Sequence, residues 1–139
     1  MNRLLLRSEL KRDEGERLKP YVCTAGKTTI GIGRNLDDLG ISEEESIFLF
    51  KNDMERVEKE ARSIFSNWDS ICDARQRALM NLLFALGMTK FLRFKNMIAA
   101  VRSEQWNTAG DEALDSVWAR TKGIEARAAR IANMLRQGV

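Results

Sequence analysis

Glu14, Cys23 and Thr29 fall within one short stretch, DEGERLKPYVCTAGKTTIGIGR, residues 13–34. A carboxyl, a thiol and a hydroxyl brought together could transfer a proton, attack a carbon or hold a water molecule. Each also has an ordinary structural use. A lone glutamate is most often solvated, a free cysteine most often packs as a small apolar group, and threonine favours strands. Glu14 stands just before Gly15, where a polar, helix-like run ends. A helix C-terminus disfavours negative charge, and burial there would favour the protonated form that a general acid needs. Cys23 falls in a loop, which is not a natural core position. Gly31 and Gly33 alternate along a strand-like segment and suggest either close approach of the backbone to a ligand or simple relief of crowding.

The elements that must position these groups are legible from periodicity. Leu5, Leu6 and Leu10 share a helical face over residues 3 to 15, and Gly15 is the terminator. Residues 20 to 34 change character: Ala25-Gly26 offers a turn between Tyr21-Val22 and Thr28–Ile32, which predicts a small hairpin or sheet. Ser42 followed by Glu43, Glu44 and Glu45 has the form of an N-cap with an acidic first turn. The helix after it takes its apolar side from Phe48, Leu49, Val57 and Ile64, with the charges of Glu55 to Arg62 as a solvated face. Asp69 or Ser70 is the expected cap of the next helix. That helix is apolar nearly all round from Ala78 to Leu86, which predicts the buried central helix, closed by Gly87. FLRFKNMIAAVRSEQ and WNTAGDEALDSVWA read as two amphipathic helices. Gly123 separates them from a last one, IEARAARIANMLRQ, ended by Gly138. The fold class is therefore α+β and mostly helical. The expected organisation is a single domain over 1–139, with a small β lobe at about 16–40 and a helical lobe from about 1–15 and 41–139.

Composition narrows the chemistry. The 139 residues include no histidine, which makes zinc enzymes and Ser-His-Asp hydrolases very poor readings; no metal and no cofactor are expected. Two cysteines, Cys23 and Cys72, do not make a disulfide framework. The net charge of +3 fits a polyanionic partner but is weak evidence for one. Leu4 to Leu6 is too short for the apolar core of a signal peptide, and no segment approaches the roughly 18 apolar residues of a membrane span. Synthesis and retention in the cytoplasm, unless another factor releases the protein, is the expectation, with no stable membrane insertion.

The string from Asp13 to Arg34 resembles the catalytic segment of the phage-type lysozymes, the endolysins of tailed bacteriophages. That family shows a Glu-Gly at the end of its first helix, eight intervening residues, usually an Asp, five more, and then a Thr in a T-I-G-Y/I-G-H strand. Here the series is Glu14, Cys23, Thr29, then Ile30-Gly31-Ile32-Gly33-Arg34. Downstream, RQRALMNLLFALG is similar to the family's central helix, FKNM to its phenylalanine-containing helix start, and GIEARAARIANML to its C-terminal helix. The resemblance covers nearly the whole chain and implies a lysozyme-like fold. It also implies hydrolysis of the β-1,4 bond between N-acetylmuramic acid and N-acetylglucosamine in peptidoglycan, causing host cell lysis. By it, Glu14 is the general acid, Cys23 and Thr29 lie on the water or nucleophile side, and Arg127 falls where an arginine orients the catalytic carboxyl. Arg130 falls one turn further on, at the surface. Arg34 and Gly31 belong to the substrate-binding or orienting set. The implied partner is the glycan strand of peptidoglycan, acted on by a monomer after a holin-type membrane lesion releases it to the wall; a wall-penetrating module of a virion is the other setting.

Two departures from the family pattern matter. Cys23 replaces the usual Asp, and Arg34 the usual His, where an arginine could keep a carboxylate partner. A thiol with an ordinary value near pH 8.5 is only a few per cent ionised at neutral pH. Three outcomes follow for Cys23. Lys27, Lys19 or Arg34 depresses it toward thiolate, which acts as electrostatic partner or nucleophile. Or it stays neutral, and Glu14, Thr29 and water run a slower reaction. Or the domain binds glycan without cleaving it. A reading from another class, a basic helical nucleic-acid-binding domain, is compatible with the charge but not with the interspersed Glu and Asp, and no nucleic-acid partner is expected.

Overall fold

A computed structural model describes all residues, Met1–Val139, and the chain forms two compact units, Met1–Phe50 and Lys51–Val139. The first unit opens with α1 (Arg3–Glu14). Asn2 caps it by accepting the Leu5 N–H at 3.0 Å, and Gly15 at φ +76° ends it, its N–H returning to Lys11 O at 2.9 Å. That left-handed conformation is open to glycine at little cost. The expected leucine face is present but unburied: Leu5 and Leu10 are exposed and Leu6 half-buried.

Three antiparallel strands follow in the order β1 (Arg17–Val22), β2 (Thr28–Gly31) and β3 (Arg34–Asn35). Pro20 sits in edge strand β1, where the register between Arg17 and Tyr21 is irregular; a residue without an N–H is tolerated at such a place. The β1–β2 turn is tied by Gly26 N–H to Cys23 O and Cys23 N–H to Lys27 O, both at 2.9 Å. Asn35 then caps the short α2 (Leu36–Leu39) by accepting the Asp38 N–H at 3.0 Å. The division between the units falls inside α3 (Glu43–Ile64), whose start is a reciprocal capping box. Ser42 Oγ accepts the Glu45 N–H at 3.1 Å, and Glu45 Oε2 accepts the Ser42 N–H at 2.7 Å. Val57 and Ile64 are buried as expected, but Phe48 and Leu49 are exposed. Ile47–Phe50 is a run of consecutive apolar residues, so its side chains point all round the helix and define no single face.

The second unit contains every buried apolar residue of the chain, from Val57 to Leu135. A 3₁₀ turn (Trp68–Ser70) leads to α4 (Asp73–Leu86). Neither Asp69 nor Ser70 caps that helix: Asp69 pairs with Arg62 at 2.7 Å, Ser70 Oγ donates to Asn67 O at 2.7 Å, and the cap position falls to Cys72. Helix α4 is buried on one face only, through Ala74, Ala78, Leu79, Leu82 and Leu83, while Asn81 and Phe84 are exposed. The next predicted helix is split into α5 (Met88–Phe91) and α6 (Lys95–Arg102). Tighter i→i−3 bonds from Arg93 and Phe94 interrupt it, bringing Phe91 and Phe94 into a stacked pair with centroids 6.5 Å apart. Helix α7 (Trp106–Leu114) stops early, where Ser116 Oγ donates to Ala113 O and accepts the Ala119 N–H. Helix α8 (Glu125–Gln137) closes the unit at Gly138, which is left-handed. The fold is the expected α+β class, mostly helical with one small antiparallel sheet. No helix is long and apolar enough to cross a membrane.

Candidate active site

The first unit brings Glu14, Cys23 and Thr29 to one small sheet and its flanks. Glu14 is the last residue of α1 and is exposed. Its carboxyl lies against Gly33 in the β2–β3 turn: a Cβ added to that glycine would stand 3.5 Å from Glu14 Oε2. Close backbone approach is therefore real at Gly33, and the group approached is the carboxyl of this chain. Gly31, at φ +66°, has nothing within 4 Å of such a Cβ, so its turn conformation explains the glycine.

Thr29 is the one buried polar residue, 4% exposed, on β2 opposite Tyr21 and Asn35. Its hydroxyl donates to Lys27 O at 2.9 Å. A hydroxyl has a single proton, so its oxygen lone pairs remain to accept from a neighbour. Cys23 is half-buried, and its thiol is held below the ordinary thiol range. The largest cause is the Lys27 N–H, followed by the Thr29 hydroxyl and the Ala25 N–H, against some desolvation. The hydroxyl can support the thiolate only by turning its proton from Lys27 O to the sulfur, so the two main-chain N–H groups are the standing support. Of the cations named as able to depress the thiol, Lys27 and Arg34 are paired with carboxylates. Lys27 Nζ pairs with Asp38 at 3.0 Å, and Arg34 makes a two-pronged pair with Glu45 at 2.8 and 3.2 Å, with a further bond to Gly40 O.

Arg127, on α8 in the second unit, donates through Nε to Asn81 Oδ1 at 2.9 Å and through a terminal nitrogen to Asn81 O at 3.3 Å. Asn81, on the exposed side of α4, was invisible to periodicity, which counted that stretch as apolar all round. Arg130 is exposed. The second unit also holds a groove of about 820 Å³ with Phe94 and Trp118 in its walls and Lys90, Arg93, Glu112 and Asp115 at its sides. Sequence reading found the apolar residues but had no means of assembling the groove, which is lined from the end of α4 through α5, α6 and α7 to the segment after α7.

The phage lysozyme family profile matches residues 11–131, a span that takes in the sheet, Glu14, Cys23, Thr29 and Arg127. The chain belongs to the phage lysozyme family. As a phage lysozyme it is a glycoside hydrolase of lysozyme type. Individual relatives agree. The chain is 30% identical to probable T4-type lysozyme 1 of Dictyostelium discoideum, over 81% of this chain and 84% of that protein. It is 30% identical to the endolysin of Salmonella phage P22, over 76% and 82%. The pre-baseplate central spike protein Gp5 of Enterobacteria phage T4 is likewise 30% identical over 88% of this chain, which there spans only 26% of the spike protein.

Proposed function

We propose that this phage lysozyme hydrolyses the β-1,4 bond between N-acetylmuramic acid and N-acetylglucosamine of peptidoglycan. Glu14 acts as general acid on the leaving oxygen, and Cys23 and Thr29 act on the opposite face of the sugar. The observation that carries this reading is the Glu14 carboxyl against Gly33, the half-buried Cys23 and the buried Thr29 gathered at one small sheet. A thiolate there supplies negative charge opposite an oxocarbenium-like transition state. Thr29 Oγ1, whose proton goes to Lys27 O, accepts from a water and aims that water's lone pair at the anomeric carbon. The water attacks, its proton passes to the sulfur, and Glu14 gives up its own proton to the departing oxygen, so bonds and protons balance. Arg34, tied to Glu45, acts by holding the sheet.

Release into solution by a membrane lesion, followed by lysis of the host wall, is the setting we propose, on the likeness to the P22 endolysin. Mass and anomeric analysis of muropeptides tests the chemistry. Wild type is expected to release inverted N-acetylmuramic acid ends, Glu14→Gln to release almost none, and Cys23→Ser to turn over slowly. Undiminished release by Glu14→Gln would remove the proposal. A mass corresponding to a sugar bound to Cys23 would reassign the thiol from water-holder to nucleophile.

A further inference from the structure

We propose that Asp37 and Asp38 are positioning residues for the Cys23–Thr29 pair, acting through Lys27; in its catalytic part this rests on the glycosidase reading above. Lys27 is the hub of the site. Its carbonyl accepts both the Cys23 N–H and the Thr29 hydroxyl, each at 2.9 Å, and its own N–H is the main support of the sulfur. Within the hairpin, the Cys23 N–H and the pairing of Val22 with Thr28 hold one side of this peptide. It is further held from α2. Asp38 Oδ1 takes the Lys27 ammonium at 3.0 Å, and Asp37 Oδ2 accepts the N–H of the next residue, Thr28, at 2.7 Å.

The aspartates are themselves held. Asn35 accepts the Asp38 N–H at 3.0 Å and donates to Asp38 Oδ2 at 2.8 Å, and Asn35 is the residue paired with Thr29 across the β2–β3 ladder. The contacts close a ring: Thr29 to Asn35, Asn35 to Asp38, Asp38 to Lys27, Lys27 back to Thr29. Asp37 and Asp38 bond neither the sulfur nor the Thr29 hydroxyl, so they act at one remove. The charged groups gathered at this loop are Lys27 on the loop and the two aspartates on α2.

Electrostatics and positioning predict opposite signs for removing either carboxylate. Deleting a negative charge near a thiol lowers the pH at which it ionises, because a like charge no longer opposes the thiolate. Freeing the Lys27 peptide withdraws an N–H from the sulfur and raises that pH. Alkylation of Cys23 by iodoacetamide is followed against pH by site-resolved mass spectrometry in wild type, Asp37→Asn and Asp38→Asn. Exposed Cys72, in the other unit, serves as internal reference. The expected result is a rise in the Cys23 midpoint of about half a pH unit, roughly a threefold loss of thiolate at neutral pH, with Cys72 unmoved. Asp38→Glu is expected to restore part of the shift, and kcat on soluble glycan to fall with KM held. The two variants cut different bonds, so either one that folds decides the matter. A Cys23 midpoint that stays or falls overturns the proposal. A raised midpoint in a protein that cleaves no glycan, even as wild type, keeps the positioning role and removes the glycosidase reading.

Discussion

Thr29 permits a test in which stability and chemistry separate. Thr29→Val keeps the side-chain shape and removes the hydroxyl. Lys27 O loses one donor but keeps the Cys23 N–H at 2.9 Å, so no acceptor is left bare. The cost is that of one ordinary hydrogen bond, about 1 kcal/mol. Thr29→Ser keeps the hydroxyl and removes a methyl group from a site only 4% exposed, which costs about 0.8 kcal/mol for the transfer, plus a small cavity. The two variants are therefore matched in stability, each melting a few degrees below wild type, about 4 °C for a chain of this size. Their activities should differ widely. A positioned polar group lost from the transition state costs about 100-fold in kcat, about 2.7 kcal/mol of barrier, so Thr29→Val falls by that order. Thr29→Ser should lose only a few-fold. Calorimetry gives the melting temperatures, and release of reducing ends from purified cell walls gives the rates. Equal rates in two variants of equal stability would refute the reasoning, because Thr29 would then be a packing residue whose oxygen does no chemistry.

The remaining predictions concern titration and packing. Cys23 in the folded protein should reach half-maximal alkylation below the ordinary thiol value near pH 8.5, and return to it in denaturant. With its folded value depressed, its stabilising contribution is present above the unfolded value and is lost as pH falls through the folded one. Glu45 is held below the usual carboxylate range, chiefly by the Ser42 N–H and then by Arg34, against some desolvation. Its contribution is present above about pH 4.3 and is lost as pH falls through the lower folded value, so Glu45→Gln should flatten the acid limb of the stability profile measured by urea unfolding. Leu82→Ala, at a fully buried position of α4, should cost about 3 kcal/mol, read from denaturant midpoints at unchanged slope.

Local chemistry was readable where a residue acts through its nearest neighbours. The Ser42–Glu45 capping box, the Gly15 and Gly138 stops and the Ala25-Gly26 turn depend on backbone rules within four residues, and all stand as expected. Misreadings came where distant packing or side-chain competition decides. Phe48 and Leu49 are apolar but face no buried surface, and Asp69 prefers Arg62 to the helix it precedes. The break after Phe91 goes with i→i−3 bonds from Arg93 and Phe94 and a stacked pair of the Phe91 and Phe94 rings, a tertiary arrangement no propensity encodes. At the site, the spacing of Glu14, Cys23 and Thr29 was visible, but the agent acting on the sulfur was not. One of the three outcomes drawn for Cys23 had Lys27, Lys19 or Arg34 acting on it; the folded chain pairs Lys27 and Arg34 with carboxylates, and main-chain N–H groups stand beside the sulfur.

All the densely packed hydrocarbon lies beyond residue 56, while Glu14, Cys23 and Thr29 lie before residue 30. Substituting a reactive group in the first fifty residues thus disturbs a few directional bonds instead of a jigsaw of filled volume. Such a region can exchange one functional atom for another with little structural penalty. Among the buried leucines of α4, by contrast, any exchange of shape leaves a cavity or a clash.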